Sequence, residues 1–408
     1  MEHFKSLVTN ISHYFVTKQE KGISLISWAT SIRWFGWGFV EYLIPIFLFS
    51  FAASYTDSGI LKSSYNIAFL LALPLVGIIA NHIRGKYLII AGLLLYPFIS
   101  IGYFMAGATG VVLYVVLARV LNGVSYALDN TGRQTYFMRH VPKKRIGSAY
   151  GYFETLTSFW WILAVLTSLV LVEHLETHHL FLFIIPTTLV ALYLILKIKE
   201  DPRDHHEKDW YKKISIKAYW ESLQEVKLWN KDLKHLACIH FISGIILSIT
   251  AFFLPITLYQ NDVALSQIII LMTIYSLPGL FGSPLGALSD KIGEKVLSIS
   301  FFFLSFTLLF ISLFESFAVL LVLIFLIGIF ETTFVLATQS RIANLGTAGH
   351  YGSISGSFSA LGSIAGIIGP ILIGFTMDLY SLSTASVILG GIGVVASILY
   401  YKKHHRTT

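Results

Sequence analysis

Long apolar runs, most of them close to twenty residues and separated by short polar segments, dominate the chain. They fall at 24–53, 60–80, 87–106, 111–138, 146–172, 180–197, 236–259, 264–288, 296–313, 317–340, 352–377 and 382–401. A helix of about 20 residues crosses the roughly 30 Å hydrocarbon layer of a bilayer. Inside that layer every backbone N–H and C=O must be paired within its own segment or within a closed barrel. Runs this long and this rich in Leu, Ile and Phe predict helices, and hence an all-α membrane protein with twelve transmembrane helices.

Two stretches depart from the pattern. Residues 1–23 place Phe4, Leu7, Val8, Ile11, Tyr14 and Phe15 at the three-four spacing of one helix face, which predicts an amphipathic cytoplasmic segment lying on the membrane. The stretch has no apolar core followed by a small-residue cleavage pattern, so it does not read as a cleavable signal. Residues 199–235 divide the spans six and six. Their polar opening at 200–209 is followed by Trp210, Ile214, Tyr219, Trp220, Leu223, Val226 and Trp229 at roughly helical spacing. This cytoplasmic linker is either an amphipathic helix on the inner leaflet or a plain tether. The domain plan is therefore an N-terminal six-helix bundle at 24–198, the linker at 199–235, a C-terminal six-helix bundle at 236–401 and a cytoplasmic tail at 402–408.

Composition narrows the class. Of 408 residues 55% are hydrophobic and 12% charged, against about 25% charged in soluble domains; an ordinary soluble enzyme is excluded. The formal charge of +7 is interleaved with apolar runs, so it points to lipid and not to nucleic acid. Arg33, Arg119 and Arg133 lie inside spans and Lys62 falls to one side of the membrane. Every other basic residue falls to the opposite side: the loops around Arg84, Arg139, the linker, Lys291 and Arg341, and both tails. The positive-inside rule then puts both termini and the linker in the cytoplasm of a multi-pass protein of the cell (inner or plasma) membrane. Cys238 is the only cysteine, which rules out an internal disulfide and a Cys-based zinc site.

The halves repeat. Gly147-Ser148-x-x-Gly151-x-Phe153, opening the fifth span, returns as Gly352-Ser353-x-x-Gly356-x-Phe358, opening the eleventh, and Gly123 in the fourth span matches Gly328 in the tenth at the same offset. Gly77 and Gly286 close the second and eighth spans. Repeats of equal orientation predict two pseudosymmetric six-helix bundles related by an axis along the membrane normal, with a cavity at their interface.

Gly286-Ala287-Leu288-Ser289-Asp290-Lys291-Ile292-Gly293-Glu294-Lys295 joins spans eight and nine. A small residue admits close helix approach, and an acid beside a helix end with bases following can latch neighbouring helices. Here the chain resembles the major facilitator superfamily, whose loop pattern is Gly-x-x-x-Asp-(Arg/Lys)-x-Gly-x-(Arg/Lys). Gly286, Asp290, Lys291, Gly293 and Lys295 fit it at every defined position. The first-half copy, running from Gly77 to Lys86, has Asn81 in place of the acid. Arg119-Val120-Leu121-Asn122-Gly123 is similar to the family's Arg-x-x-(Gln)-Gly element, whose arginine is associated with proton coupling in drug and proton antiporters. The Gly-Pro-x-x-Gly-Gly element typical of exporters is missing from the fifth span, and Gly369-Pro370 and Gly374 resemble it loosely in the eleventh. The resemblance implies the superfamily fold and transport by alternating access.

Charges inside the bilayer carry the functional expectation, since each costs about 2.5–3.5 kcal/mol on insertion scales. Arg33 and Glu41 lie about 80° apart around an ideal helix and share a broad face. Asp129 and Arg133 form an i,i+4 pair read as a structural ion pair. Glu41, Glu154 and Glu331, with Arg119, are the proton-coupling candidates: a carboxylate that moves relative to an arginine as access alternates binds and releases a proton. The alternative for each is a static pair that sets helix register. Arg33 either contacts substrate or pairs with an acid. Trp34, Trp37 and Trp160, among other aromatics of the same spans, are the apolar substrate-binding candidates, packing being their alternative role.

These features predict a secondary active transporter, and the rival classes find less support. His174-x-x-x-His178-His179 resembles one box of membrane di-iron desaturases, but His205-His206 lies on the opposite side, so an enzyme is not expected. A peripheral metal site at His174, His178 and His179 is the alternative to a plain loop; no metal and no cofactor are expected. No phosphate-cradling Gly-x-x-x-x-Gly-Lys-(Ser/Thr) loop is present, which argues against direct ATP drive. The expected partners are a small-molecule substrate, the proton and membrane lipid, with no nucleic acid, in a monomer. A uniporter or exchanger of an organic anion or lysolipid, and a non-transporting membrane scaffold, are the competing functions.

Overall fold

The computed structural model describes residues 21–141, 146–199, 211, 215, 229–282, 284–285, 294–311, 316–345 and 351–405. Among them the chain is helical and contains no strand. The first half holds α1 (Lys21–Gly38), α2 (Ile44–Phe49), α3 (Tyr55–His82), α4 (Gly85–Thr109), α5 (Val112–His140), α6 (Ile146–Leu171), α7 (Thr177–Leu180) and α8 (Ile184–Leu196). The second holds α9 (Lys231–Ser248), α10 (Leu254–Gln260), α11 (Leu265–Ser276), α12 (Glu294–Leu308), α13 (Phe317–Leu345), α14 (Tyr351–Leu379) and α15 (Leu382–His405). Nine helical stretches among the described residues are long and apolar enough to cross a membrane; Leu265–Phe281 and Lys295–Leu308 are shorter apolar helices.

The expected first span, 24–53, is not one helix. Pro45 has no N–H to give the carbonyl of Glu41, and its ring crowds that carbonyl, so the helix breaks ahead of it. Turn bonds close the gap: Val40 N–H donates to the Trp37 carbonyl at 2.9 Å and Ile44 N–H to the Val40 carbonyl at 2.8 Å. Glu41 and Tyr42 thus stand in a break inside the span. The leading span of the second half is interrupted likewise, α9 passing through a π-helical stretch, Ile249–Phe253, before Pro255 near the start of α10. Irregular backbone at membrane depth is stable where protein or a cavity, not lipid, surrounds it.

The second bundle begins ahead of the expected residue 236, because the Asn230 side chain accepts the Leu233 N–H at 2.8 Å and caps α9 at Lys231. Just before it, Trp229 is buried and stacks on Phe358 at 4.9 Å between ring centroids. Most of the expected surface segment 1–23 and of the linker lies outside the described residues.

Apolar side chains gain little by leaving lipid tails for one another, so close backbone approach and polar contacts hold the helices. A Cβ on Gly92 of α4 would lie 2.8 Å from the Ser125 carbonyl oxygen of α5, and Ser125 Oγ donates to the Gly92 carbonyl at 2.8 Å. A Cβ on Gly123 of α5 would lie 2.4 Å from the Tyr65 carbonyl oxygen of α3. The two halves meet chiefly along α3 and α14. Cβ atoms on Gly59 and Gly374 would stand 2.3 Å from the Pro370 carbonyl oxygen and 2.4 Å from the Tyr55 carbonyl oxygen, so glycine sets the approach on both helices.

Candidate functional site

Arg33, on α1, does not face Glu41. Its guanidinium donates to Asp129 Oδ2 of α5 at 2.9 Å and to the Tyr96 hydroxyl of α4 at 2.8 Å, and lies 4.8 Å from the Tyr96 ring centroid. Arg133, one turn further along α5, reaches the same carboxylate oxygen at 3.3 Å, so two arginines share one aspartate. All three residues are buried. The shared helix face drawn for Arg33 and Glu41 fails because the span breaks between them, and Asp129 from another span takes the arginine instead.

Arg119 is buried on α5 and donates to the Lys62 carbonyl at 2.6 Å, with its guanidinium over the Tyr65 ring at 5.1 Å. Lys62 is no loop residue. It stands in the second turn of α3, half-buried, with its ammonium 5.6 Å from the Phe252 ring centroid in the π-helical stretch of the other half. Glu41 and Arg119 both lie within its electrostatic range. Sequence position hid Lys62 because it sits at the edge of its apolar run, where a basic residue reads as part of the loop.

A polar contact then crosses the halves beside Glu41. The Tyr42 hydroxyl is hydrogen-bonded to Ser276 Oγ of α11, and Trp161 Nε1 of α6 donates to the Tyr42 hydroxyl at 3.5 Å. The neighbour of Ser276, Tyr275, donates its hydroxyl to the Glu331 carboxylate of α13. Trp34 packs on Trp161 at 5.1 Å between centroids. Glu41 and Glu331 both fall within electrostatic range of Tyr42. One carboxylate from each half therefore brackets the same interhelical contact.

The remaining expected residues take other places. Trp37 is buried against Tyr96 and Tyr103 inside the first half. Trp160 turns to the other side of α6 from Trp161, packing on Trp28, Phe35 and the exposed Phe159. Glu154 is exposed on α6, with Arg133 within electrostatic range. Of the expected latch, Lys295 is exposed at the start of α12, while Gly286, Asp290, Lys291 and Gly293 lie outside the described residues. In the first-half copy, cations bind helix ends without the missing acid. Arg139 donates to the Ala80 and Ile83 carbonyls at 2.9 and 3.1 Å, and Lys86 to the Ile198 carbonyl at 2.6 Å, neutralising the negative ends of α3 and α8.

At the end of the bundle that carries Tyr55, the halves are tied by one carboxylate. Asp378 of α14 accepts the Tyr55 N–H at 2.8 Å, the Thr56 N–H at 2.9 Å and the Thr56 hydroxyl at 2.5 Å, so it caps the N-terminus of α3 from across the interface. Further along, Ser63 Oγ donates to the Ile367 carbonyl at 2.8 Å and Asn66 Nδ2 to the Gly366 carbonyl at 2.9 Å. Toward the opposite end of α3, Leu71 and Leu75 are exposed and a Cβ on Gly77 would meet nothing within 4 Å.

Two helical bundles joined by polar contacts across their seam, Tyr42 to Ser276 and Tyr55 and Thr56 to Asp378, have the architecture of a membrane carrier. The chain belongs to the Major Facilitator Superfamily, whose family model matches residues 26–230 and 236–408. An uncharacterised transporter of this type from Methanocaldococcus jannaschii is 21% identical over 392 residues, covering 95% of this chain and all of that protein. The multidrug efflux pump SdrM of Staphylococcus aureus is 26% identical over 238 residues; the chain matches about half of that pump, 52%. The solved structure of the nucleoside transporter NupG shares the fold, with a TM-score of 0.75 over 93% of this chain and 99% of that one at 17% identity.

Proposed function

We propose that this membrane transporter is a twelve-helix, proton-coupled secondary carrier that moves a small organic or amphiphilic solute across the cell membrane by alternating access, with both termini in the cytoplasm. The orientation rests on the sequence positions of the basic residues, nearly all of which fall in the tails, the linker and the loops that alternate with the one before Tyr55. In that orientation the Asp378 cap ties the halves at the outer end, and the loop from Gly286 to Lys295 serves as a conformational latch at the cytoplasmic one.

The observation that carries the reading is the pair Glu41 and Glu331, one from each half, flanking the Tyr42–Ser276 contact. Rocking one half against the other changes what surrounds each carboxylate, and a carboxylate whose solvation and partners change takes up and releases a proton. Arg119 and Lys62 beside Glu41 supply the charge it works against, and Glu154 with Arg133 is a second coupling candidate. Trp34, Trp161 and Tyr42 offer an aromatic face for the solute. Arg33, held by Asp129, acts on it by fixing α1 to α5. The local excess of Lys62 and Arg119 over Glu41 also favours a second reading, exchange of an organic anion.

The test has two stages. A thermal-shift screen of metabolites, drugs and lipids at two pH values identifies a solute, and proteoliposomes then report its accumulation under an imposed pH gradient. Glu41→Gln and Glu331→Gln are expected to abolish gradient-driven accumulation while solute exchange persists. Accumulation at the wild-type level in both variants would remove the coupling assignment.

A further inference from the structure

We propose that Glu176, His178 and His179 form a binding site for a divalent transition-metal ion of the zinc class at the Tyr55 end of the bundle. The chemistry is that of a two-histidine, one-carboxylate set, which suits zinc and related ions. One ligand atom from each residue lies within 4.8 Å of the others. Four-coordinate zinc with bonds of about 2.0–2.1 Å sets its ligand atoms about 3.3 Å apart. His178 Nδ1 and Glu176 Oε2 already stand at 3.3 Å, and side-chain rotation of His179 completes the set.

The local fold aims these groups. Glu176 occupies the N-cap position of α7, yet its side chain makes no capping hydrogen bond there and lies beside His178 instead. His178 is seated on Gly107, where a Cβ would come within 2.2 Å of the histidine Cβ, so only glycine leaves room for it. Both imidazoles lie beside the Phe104 ring, at 5.5 and 5.7 Å between centroids, so one aromatic wall borders the group. Glu176 and His178 also line a cavity of about 700 Å³ that Ser50 and, from the second half, Tyr259 complete. That cavity leaves space for water or another exogenous ligand in the remaining coordination position. His174, the third histidine of the sequence pattern, is exposed and belongs to no such group.

Zinc titration of the purified, untagged full chain by calorimetry tests the site. The expected result is that Glu176→Gln and His178→Ala each weaken one equivalent of zinc binding at least tenfold, and that His174→Ala leaves the isotherm unchanged. The histidines at 205, 206, 404 and 405 set a background common to all variants. Unchanged stoichiometry and affinity in both Glu176→Gln and His178→Ala would overturn the proposal. If His178→Ala fails to fold because of its seat on Gly107, Glu176→Gln decides alone, since it conserves volume at an exposed position.

Discussion

Arg33 and Glu41 are carried by one apolar run and end in opposite surroundings. Arg33 is 2% exposed and locked to Asp129 and Tyr96; Glu41 is half-buried in a helix break with no ion-pair partner within 4 Å among the described residues. Removing one member of a buried ionic cluster strands the others, at about 3–5 kcal/mol. Asp129→Ala is therefore expected to lower thermal stability in detergent sharply, while Glu41→Gln melts near the wild type and loses proton-driven flux. A wild-type melting temperature for Asp129→Ala would mean that the cluster is not holding α1 to α5. The sequence marked these residues as costly, and the i,i+4 spacing of Asp129 and Arg133 suggested a contact within one helix. It could not show that Arg33 joins them, because helical periodicity relates residues within one helix and is silent about which helices are neighbours. Tyr275 and Asp378 escaped for the same reason: each gains meaning only from a residue of a different span.

The helices show how prolines and glycines set the working geometry. Pro45 breaks the leading span of the first half, a π-helical stretch ahead of Pro255 interrupts that of the second, and the first break is what delivers Glu41 and Tyr42 to the interface. Apolar run length announced those spans but not their interruptions, since Pro is itself compatible with an apolar run. The α3–α14 seam depends on Gly59, Gly374 and the Asp378 cap. Asp378→Ala or Gly59→Leu is expected to open the Tyr55 end. In a Thr56→Cys background, either change should raise labelling by a membrane-impermeant maleimide several-fold. Labelling no faster than in the Thr56→Cys parent would show that the seam does not depend on these residues. Pro370 and Gly374, noticed in the sequence only as a loose echo of an exporter element, prove to be seam residues facing α3, while Gly369 packs on Ile245 and Ser248 of α9.

For the molecule as a whole, the repeat of glycine-centred motifs between halves was the most informative feature of the sequence. It implied two bundles with a site between them, and the seam, the Tyr42–Ser276 contact and the two flanking carboxylates all lie where the bundles meet. The account's central claim is that the halves rock about this interface, sealing one end while the other opens. Double electron–electron resonance measures this directly, using spin-label pairs that span α3 and α14, one near Thr56 and Asp378 and one near Gly77 and Ser359, in a background with Cys238→Ser. The account predicts two populations at each end that shift in opposite directions with pH or with an identified solute, short distances at the Thr56 end accompanying long ones at the Gly77 end. A single distance at both ends, unmoved by pH and by every solute that stabilises the protein, would contradict it.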